Sequence, residues 1–140
     1  MVGILLITHN GLGDSLVDCV RHVIGSVPPH LKTFSVLAND DPAQKENEAR
    51  ELVDQLDSGD GVLLLSDVYG ATPCNIARRL CQPGRVEGVA GVNLPMLLRV
   101  ACYCNLPLGD LVQRAVEGGR DCIVTLISEG TDAEARCADH

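Results

Sequence analysis

Residues 61–67 read Gly-Val-Leu-Leu-Leu-Ser-Asp, the most continuous hydrophobic run of the chain. A short apolar run between a glycine and a polar pair predicts a strand that is buried on both faces. Such a strand lies at the centre of a parallel sheet whose two faces are covered by helices. The stretch therefore favours an α/β fold and directs attention to the polar residues that follow it.

Strands and helices are predicted to alternate outward from this run. Strands are predicted at residues 2–8, 31–38, 61–66, 86–92 and 122–127. Helices are predicted from Leu12 to a stop at Gly25, from Pro42 to a stop at Gly59, from Pro73 to about Cys81, around Met96 to Ala101, and over 107–117 to a stop at Gly118-Gly119. This order predicts a mainly parallel, doubly wound sheet with helices on both faces. Residues 128–140 are polar and without apolar periodicity, and we expect a mobile tail there.

The composition excludes several classes of function. The chain has 140 residues, the size of one domain, and a formal net charge of −8, which disfavours binding to nucleic acids. No stretch is long and apolar enough to span a membrane, and the start of the chain lacks the basic region of a signal peptide, so we expect a cytoplasmic protein.

The 7 cysteines are odd in number and mostly lie in apolar segments, which favours reduced thiols acting as small hydrophobic residues. Cys102-x-Cys104 alone is weak support for zinc.

Two side chains of complementary chemistry follow neighbouring strands of the predicted sheet. His9 follows the first strand and Asp67 follows the third. In sheets of this kind, ligands bind at the carboxyl ends of the strands. A carboxylate bonded to one ring nitrogen of a histidine fixes its tautomer and leaves the other nitrogen free to accept a proton or a phosphoryl group. The alternative is that His9 is an ordinary loop residue and that Asp67 only caps a helix.

The loop after Asp67 adds a predicted anion site. Gly70 permits a close approach of the backbone, Thr72 supplies a hydroxyl, and Pro73 suits the first turn of a helix whose free N–H groups attract phosphate. Two other functions, dinucleotide binding and that of a response-regulator receiver, fit the sequence less well. Gly11-x-Gly13 lacks the third glycine of a dinucleotide fingerprint, and a response-regulator receiver needs acidic residues where Thr8-His9-Asn10 stands.

Three stretches, in this order, resemble the mannose-type enzyme IIA component of the sugar phosphotransferase system. They are the strand ending in Thr8-His9, the run 61–67 continued by Gly70-Ala71-Thr72-Pro73-x-Asn75, and Gly91-Val92-Asn93-Leu94-Pro95-Met96-Leu97. The resemblance covers residues 1–127, which we treat as the domain. In the loop, Thr72 keeps a hydroxyl where many members of the family have serine. A relative of the same fold, the phosphoryl donor subunit of dihydroxyacetone kinase, has a different loop after its third strand and ranks second.

The resemblance implies a function and a site. His9 would accept a phosphoryl group from the histidine phosphocarrier protein HPr and pass it to a separate IIB-type acceptor, and Asp67 would hold the imidazole. Gly70, Ala71 and Thr72 would contact the phosphoryl group, and a pocket rim would be lined by Asn93 and Met96. From turn chemistry alone, Asn93 reads as a turn residue. No metal or other cofactor is expected, and contact with membrane IIC and IID components would be peripheral.

The resemblance also implies a homodimer. In the family, a final antiparallel strand is exchanged between two subunits, and residues 122–127 are the candidate for it. A regulatory module, in which phosphorylated His9 is a signal and no sugar is transported, uses the same residues. The sequence does not separate it from a transport role.

Overall fold

The structure is a computed structural model that describes residues 1–127. Strands and helices alternate along these residues. The elements are β1 (Gly3–His9), α1 (Leu12–Ile24), β2 (Leu31–Val36), α2 (Pro42–Leu56), β3 (Val62–Ser66), α3 (Thr72–Leu80), β4 (Val86–Ala90), α4 (Leu94–Cys102) and α5 (Leu108–Asp121). The predicted tail, 128–140, lies outside the described residues.

The four strands form one parallel sheet in the order β2-β1-β3-β4. Helices cover both faces, so the predicted doubly wound α/β fold is confirmed. One core cluster lies between the sheet and α1, α4 and α5, and it includes Ile4, Leu6, Leu63 and Leu65. The other lies between the sheet and α2 and α3, and it includes Leu5, Ile7 and Leu64. Because successive strand residues face opposite layers, β1 and β3 are buried on both sides, as an uninterrupted apolar run requires.

The fifth helix does not stop at Gly118-Gly119, so that part of the prediction is wrong. α5 continues to Asp121, and both glycines are buried against α4. A Cβ built on Gly118 would lie 2.9 Å from Cβ of Arg99, and one on Gly119 would lie 2.8 Å from Cε of Met96. The glycines are therefore sites of close contact between two helices, where any larger residue would force a shift.

The strand predicted at residues 122–127 is not present in the structure of the single chain. These residues follow α5 as turn and irregular backbone, and four of their apolar side chains are exposed: Ile123, Val124, Leu126 and Ile127. Within residues 1–127, β4 forms one edge of the sheet, with no strand on its outer side. A strand needs a neighbouring strand for its backbone groups, and none of the four strands in residues 1–127 pairs with this segment.

The helical spacing of Leu12, Leu16, Val20, Val23 and Ile24 predicts one apolar face of α1, and only part of this face is buried. Val20 is buried as expected, and so are Val17 and Gly13. By contrast, Leu12, Val23 and Ile24 are exposed. Helical spacing shows which residues share a face, but the two ends of α1 extend past the sheet that would cover them.

Candidate functional site

The site forms where the two central strands end. β1 and β3 are paired in parallel with Ile7 opposite Ser66, so the residues that follow them emerge side by side at the carboxyl edge. His9 is the last residue of β1, and Asp67 directly follows β3. The prediction that these two residues lie together is therefore met by the geometry of the sheet.

One carboxylate oxygen of Asp67 holds His9 at two points. Oδ2 lies 2.8 Å from the ring Nδ1 and accepts a 2.9 Å hydrogen bond from the backbone N–H of His9. The other oxygen, Oδ1, accepts from the backbone N–H of Val68 at 3.0 Å. The Asp67 side chain is only 6% exposed, whereas that of His9 is 47% exposed. The carboxylate is thus a buried support, and the imidazole is presented to solvent.

The environment of Asp67 keeps it ionised. Burial alone raises the pKa of this carboxyl, but the hydrogen bonds from the backbone and ring of His9 and from Val68 outweigh burial and hold the pKa below its usual value. An ionised Asp67 accepts a proton-bearing Nδ1, which fixes the tautomer of the ring. Nε2 is then the nitrogen with a free lone pair, and it makes no hydrogen bond to any residue in 1–127.

The loop after Asp67 leads directly into α3. Gly70 has a φ of +88°, a conformation that L side chains rarely adopt, so the glycine is required for this turn. Its carbonyl accepts a 3.3 Å hydrogen bond from Nδ2 of Asn75, which ties the loop to the first turns of the helix. Thr72 begins the helix with its side chain exposed, and Ala71 is the residue before it. The structure therefore places Gly70, Ala71 and Thr72 in one loop with Asp67.

Asn93 and Met96 occupy different environments. Asn93 caps α4: its Oδ1 accepts from the backbone N–H of Met96 at 3.0 Å, and its Nδ2 donates to the carbonyl of Gly119 at 3.0 Å. Met96 is only 4% exposed and packs in the core. The Met96 side chain therefore does not line an open rim, and both polar atoms of the Asn93 side chain are engaged, one in capping α4 and the other in joining α4 to α5.

The sequence analysis missed how the turn after His9 is held. The Thr8 side chain, which is 1% exposed, accepts a 3.0 Å hydrogen bond from the backbone N–H of Gly13. Asn10 has a φ of 48°, and its N–H donates to the carbonyl of Val36 at 3.1 Å. The Asn-Gly pair at 10–11 is the signal for such a turn, because asparagine tolerates the left-handed conformation better than most residues.

Exposed apolar side chains surround the strand ends at this edge. They follow β1, β2 and β3 within a few residues, and they are Leu12, Leu37, Val68 and Tyr69. Large apolar side chains gathered on one surface are typical of sites that contact another protein. Sequence patterns miss this feature because exposure in a loop depends on the surrounding fold.

Residues 1–127 offer neither a metal centre nor a membrane-spanning helix. They contain no group of three or more His, Cys, Asp and Glu side chains arranged to hold a metal ion. Over the same range, every helix is too short or too polar to cross a membrane.

Comparison with solved structures identifies chains of the same fold. The phosphotransferase system component EIIA from Streptococcus agalactiae superposes with a TM-score of 0.79 at 19% identity, covering 89% of this chain and 97% of that one. The mannose/sorbose specific IIA subunit of the phosphotransferase system from Enterococcus faecalis gives a TM-score of 0.78 at 21% identity, covering 89% and 94%. At these identities, the likeness establishes the fold.

Sequence comparison leads to the same group of proteins. The mannose-specific EIIAB component of the phosphotransferase system of Escherichia coli K12 is 26% identical over 137 residues, which are 96% of this chain and 42% of that protein. The putative phosphotransferase enzyme IIA component YadI of the same strain is 36% identical over 67 residues, 46% of each chain. The chain thus spans less than half the length of the EIIAB component, and its match to the IIA component YadI covers less than half of either protein. The EIIA-man family model, described as "PTS system fructose IIA component", matches residues 3–116. Since this match covers most of the chain, the protein belongs to the EIIA-man family, in agreement with the mannose-type resemblance of its motifs.

Proposed function

We propose that the protein is a phosphoryl carrier of the sugar phosphotransferase system that accepts a phosphoryl group on Nε2 of His9. Membership of the EIIA-man family supports the carrier role in general. The observation that carries the assignment to His9 is the 2.8 Å contact between Nδ1 and Oδ2 of Asp67, because it leaves Nε2 as the nucleophile. The proposed donor is phospho-HPr, and the proposed acceptor is a IIB-type protein.

The transfer proceeds by exchange of one P–N bond for another. The lone pair of Nε2 attacks the phosphorus, the bond from phosphorus to the donor histidine breaks, and its electron pair returns to the donor nitrogen. The ring of His9 gains positive charge as the new bond forms, while its Nδ1 proton stays hydrogen-bonded to Asp67. The buried carboxylate stabilises that charge, and in-line positioning supplies most of the catalysis.

The loop at the start of α3 is the proposed cradle for the phosphoryl oxygens. Gly70 exposes backbone, and the hydroxyl of Thr72 is free to donate. A helix N-terminus attracts negative charge through its unpaired N–H groups. Asp67 and this loop are continuous in sequence, so one segment of the chain both holds the histidine and forms the cradle.

A protein donor fits the surface around His9 better than a small molecule does. Leu12 is 42% exposed, Leu37 54%, Val68 55% and Tyr69 73%. Apolar side chains around a reactive group give a partner protein surface to bury while the two histidines approach each other. This surface supports HPr as the donor.

We also propose that the working unit is a homodimer with exchanged C-terminal strands. The exposed apolar segment 122–127 and the outer edge of β4, which pairs with no further strand in residues 1–127, support this arrangement. Pairing segment 122–127 of one subunit with β4 of the other would supply hydrogen-bonding partners to both strands, since an open edge presents free N–H and C=O groups. Light scattering at micromolar concentration should then give the dimer mass, whereas a monomer would contradict the exchange.

The test of the proposed function is intact mass after incubation with enzyme I, HPr and phosphoenolpyruvate. We expect one acid-labile phosphoryl group on the wild type and none on His9→Ala. His22→Ala is the matched control, because His22 is an exposed histidine of α1 that takes no part in the site, and it should be labelled fully. Labelling retained in a folded His9→Ala variant would remove His9 as the acceptor. Transfer onward to a IIB-type protein separates a transport role from a regulatory one.

A further inference from the structure

A small cavity lies beside the histidine site, on the α3 face of the sheet. Its volume is about 140 Å³, and it lies between α3 and the last two strands. Buried Ser66 and Cys74 form its floor, and the exposed side chains of Tyr69 and Arg78 mark its opening. Ser66 directly precedes Asp67, so this cavity shares a strand end with the histidine site without containing His9.

The cavity exists because small residues face one another. In the register of β3 and β4, Leu64 lies opposite Gly88, and Ser66 lies opposite Ala90. α3 covers them with Cys74, Ala77 and, just after its end, Cys81. A Cβ built on Gly88 would lie 3.5 Å from Sγ of Cys81, an ordinary contact, so there is room where most sheets have a side chain.

The floor of the cavity carries a polar atom without a partner. Ser66 is only 2% exposed, and its Oγ makes no hydrogen bond within the described residues. Buried hydroxyls are nearly always hydrogen-bonded, since leaving one unpaired is unfavourable. The remaining lining is largely apolar, so a molecule that fills the space would satisfy Ser66 with one polar group.

The opening carries a cation without a carboxylate partner. The guanidinium carbon of Arg78 lies 5.7 Å from the ring centre of Tyr69, and no ion pair joins Arg78 to an acidic side chain in residues 1–127. The next residue, Arg79, contacts Glu46 at 3.5 Å. Arg78 is therefore available to an anion, held in place by stacking on an aromatic ring.

We infer that this cavity binds a small monocarboxylic acid that carries a second oxygen on the carbon next to the carboxylate, such as a 2-oxo acid of about four carbons. The carboxylate would pair with Arg78, the second oxygen would accept from Ser66, and the alkyl group would fill the apolar space. A cavity of about 150 Å³ accommodates benzene, and a 2-oxo acid of four carbons is only one non-hydrogen atom larger, with its carboxylate at the opening beside exposed Arg78.

The charge around the cavity favours one carboxylate over two. Burial is the main cause that raises the pKa of the Cys81 thiol, with a smaller contribution from Glu87, so an anion at that end of the cavity is poorly stabilised. A second carboxylate placed there would be disfavoured for the same reason. Binding at this site needs no phosphoryl transfer, so the inference is tested independently of the proposed function.

The test is a titration of the isotope-labelled full chain with 2-oxobutyrate, followed by backbone amide NMR shifts. We expect saturable shifts at Ser66, Asp67 and Cys74, with an affinity in the millimolar range typical of so small a ligand. Butyrate lacks the second oxygen, and 2-butanone lacks the carboxylate, so both should bind at least about tenfold more weakly. 2-Oxoglutarate, with a second carboxylate, should also bind more weakly.

Four variants distinguish this site from non-specific binding. Ser66→Ala and Arg78→Gln should each weaken binding about tenfold or more, and Gly88→Val, which fills the cavity, should abolish it. Arg79→Gln is the matched control and should bind as the wild type does. Amide dispersion shows whether each variant is folded, and Ser66→Ala is the variant least able to disturb the fold. If the cavity holds only ordered water, no saturable shifts occur, and the inference is overturned. Equal binding by wild type and Arg78→Gln overturns it as well.

Discussion

Oδ2 of Asp67 lies within hydrogen-bond distance of both the backbone N–H and the ring Nδ1 of His9, at 2.9 and 2.8 Å. The backbone contact fixes the position of the His9 main chain, and the ring contact fixes the orientation of the imidazole. A single buried oxygen at the end of the neighbouring strand therefore sets both. A change at Asp67 alters the orientation of the ring without removing it.

Asp67→Asn should slow phosphorylation of His9 at least about tenfold, because a neutral amide no longer stabilises the positive charge that develops on the ring. The rate of labelling from phospho-HPr, measured by quenched-flow mass analysis, checks this. Since the amide is nearly the same size as the carboxylate, the variant should fold. Wild-type kinetics in this variant would remove Asp67 from the transfer step.

Asp67 should also make the stability of the protein depend on pH in acid. Its pKa in the folded protein is held below the ordinary value of 3.8, so the folded state binds a proton less readily than the unfolded state does. The resulting stabilisation is present in full above the unfolded pKa and is lost as pH falls through the folded pKa. Urea unfolding across acid pH should show the wild type losing this contribution and Asp67→Asn lacking it. Parallel curves for the two proteins would contradict the prediction.

Gly118→Ala should destabilise the protein even though alanine favours helices. The new Cβ would lie 2.9 Å from Cβ of Arg99, an atom close to the backbone of α4 that is not free to move away. We expect a loss of about 1 to 2 kcal/mol in the free energy of unfolding. Gly109→Ala, in the same helix, meets nothing within 4 Å and should be neutral or stabilising by up to about 1 kcal/mol. Equal effects at the two positions would mean that the helices are not in close contact.

Asn93→Ala should weaken the connection between α4 and α5. It removes the cap of the Met96 N–H and the hydrogen bond to the Gly119 carbonyl, for a loss of about 2 kcal/mol in the free energy of unfolding. Asn93→Ser keeps a capping oxygen but is too short to reach α5, so it should lose about half as much. Because Asn93 is assigned to the fold, the labelling of His9 should stay close to wild type while the protein is folded. A large loss of labelling in folded Asn93→Ala would show that Asn93 takes part in the phosphorylation site.

The part of the site that depends on sheet topology was predictable from sequence. His9 and Asp67 are brought together by two strands whose apolar runs are clear, and parallel strands end at the same edge. The parts that depend on packing between helices were not. A glycine pair inside a helix looks like a helix stop in sequence, and only the contact with α4 shows why Gly118 and Gly119 continue it. The burial of Met96 was not predictable for the same reason. Helical spacing indicates which face of α4 it lies on, but not that this face packs in the core.

The segment 122–127 could be recognised as a strand former but not placed. Its nearly continuous apolar run favours a strand, yet a strand requires a neighbouring strand to pair with, and none of the four strands in residues 1–127 pairs with it. Sequence patterns report what a segment prefers. Whether that preference is met depends on surfaces elsewhere, in this case the open edge of β4.

The central place of β1 in the sheet has a consequence for how the protein is made. β1 is the first of these four strands to leave the ribosome, and β2 can pair with it early, on one side only. Its other neighbour, β3, is synthesised after all of α2. Parallel pairing over such a separation is slow compared with local folding. The nascent chain therefore exposes an apolar strand on one side until residue 66 is available, and His9 meets the Asp67 carboxylate only when β3 pairs with β1.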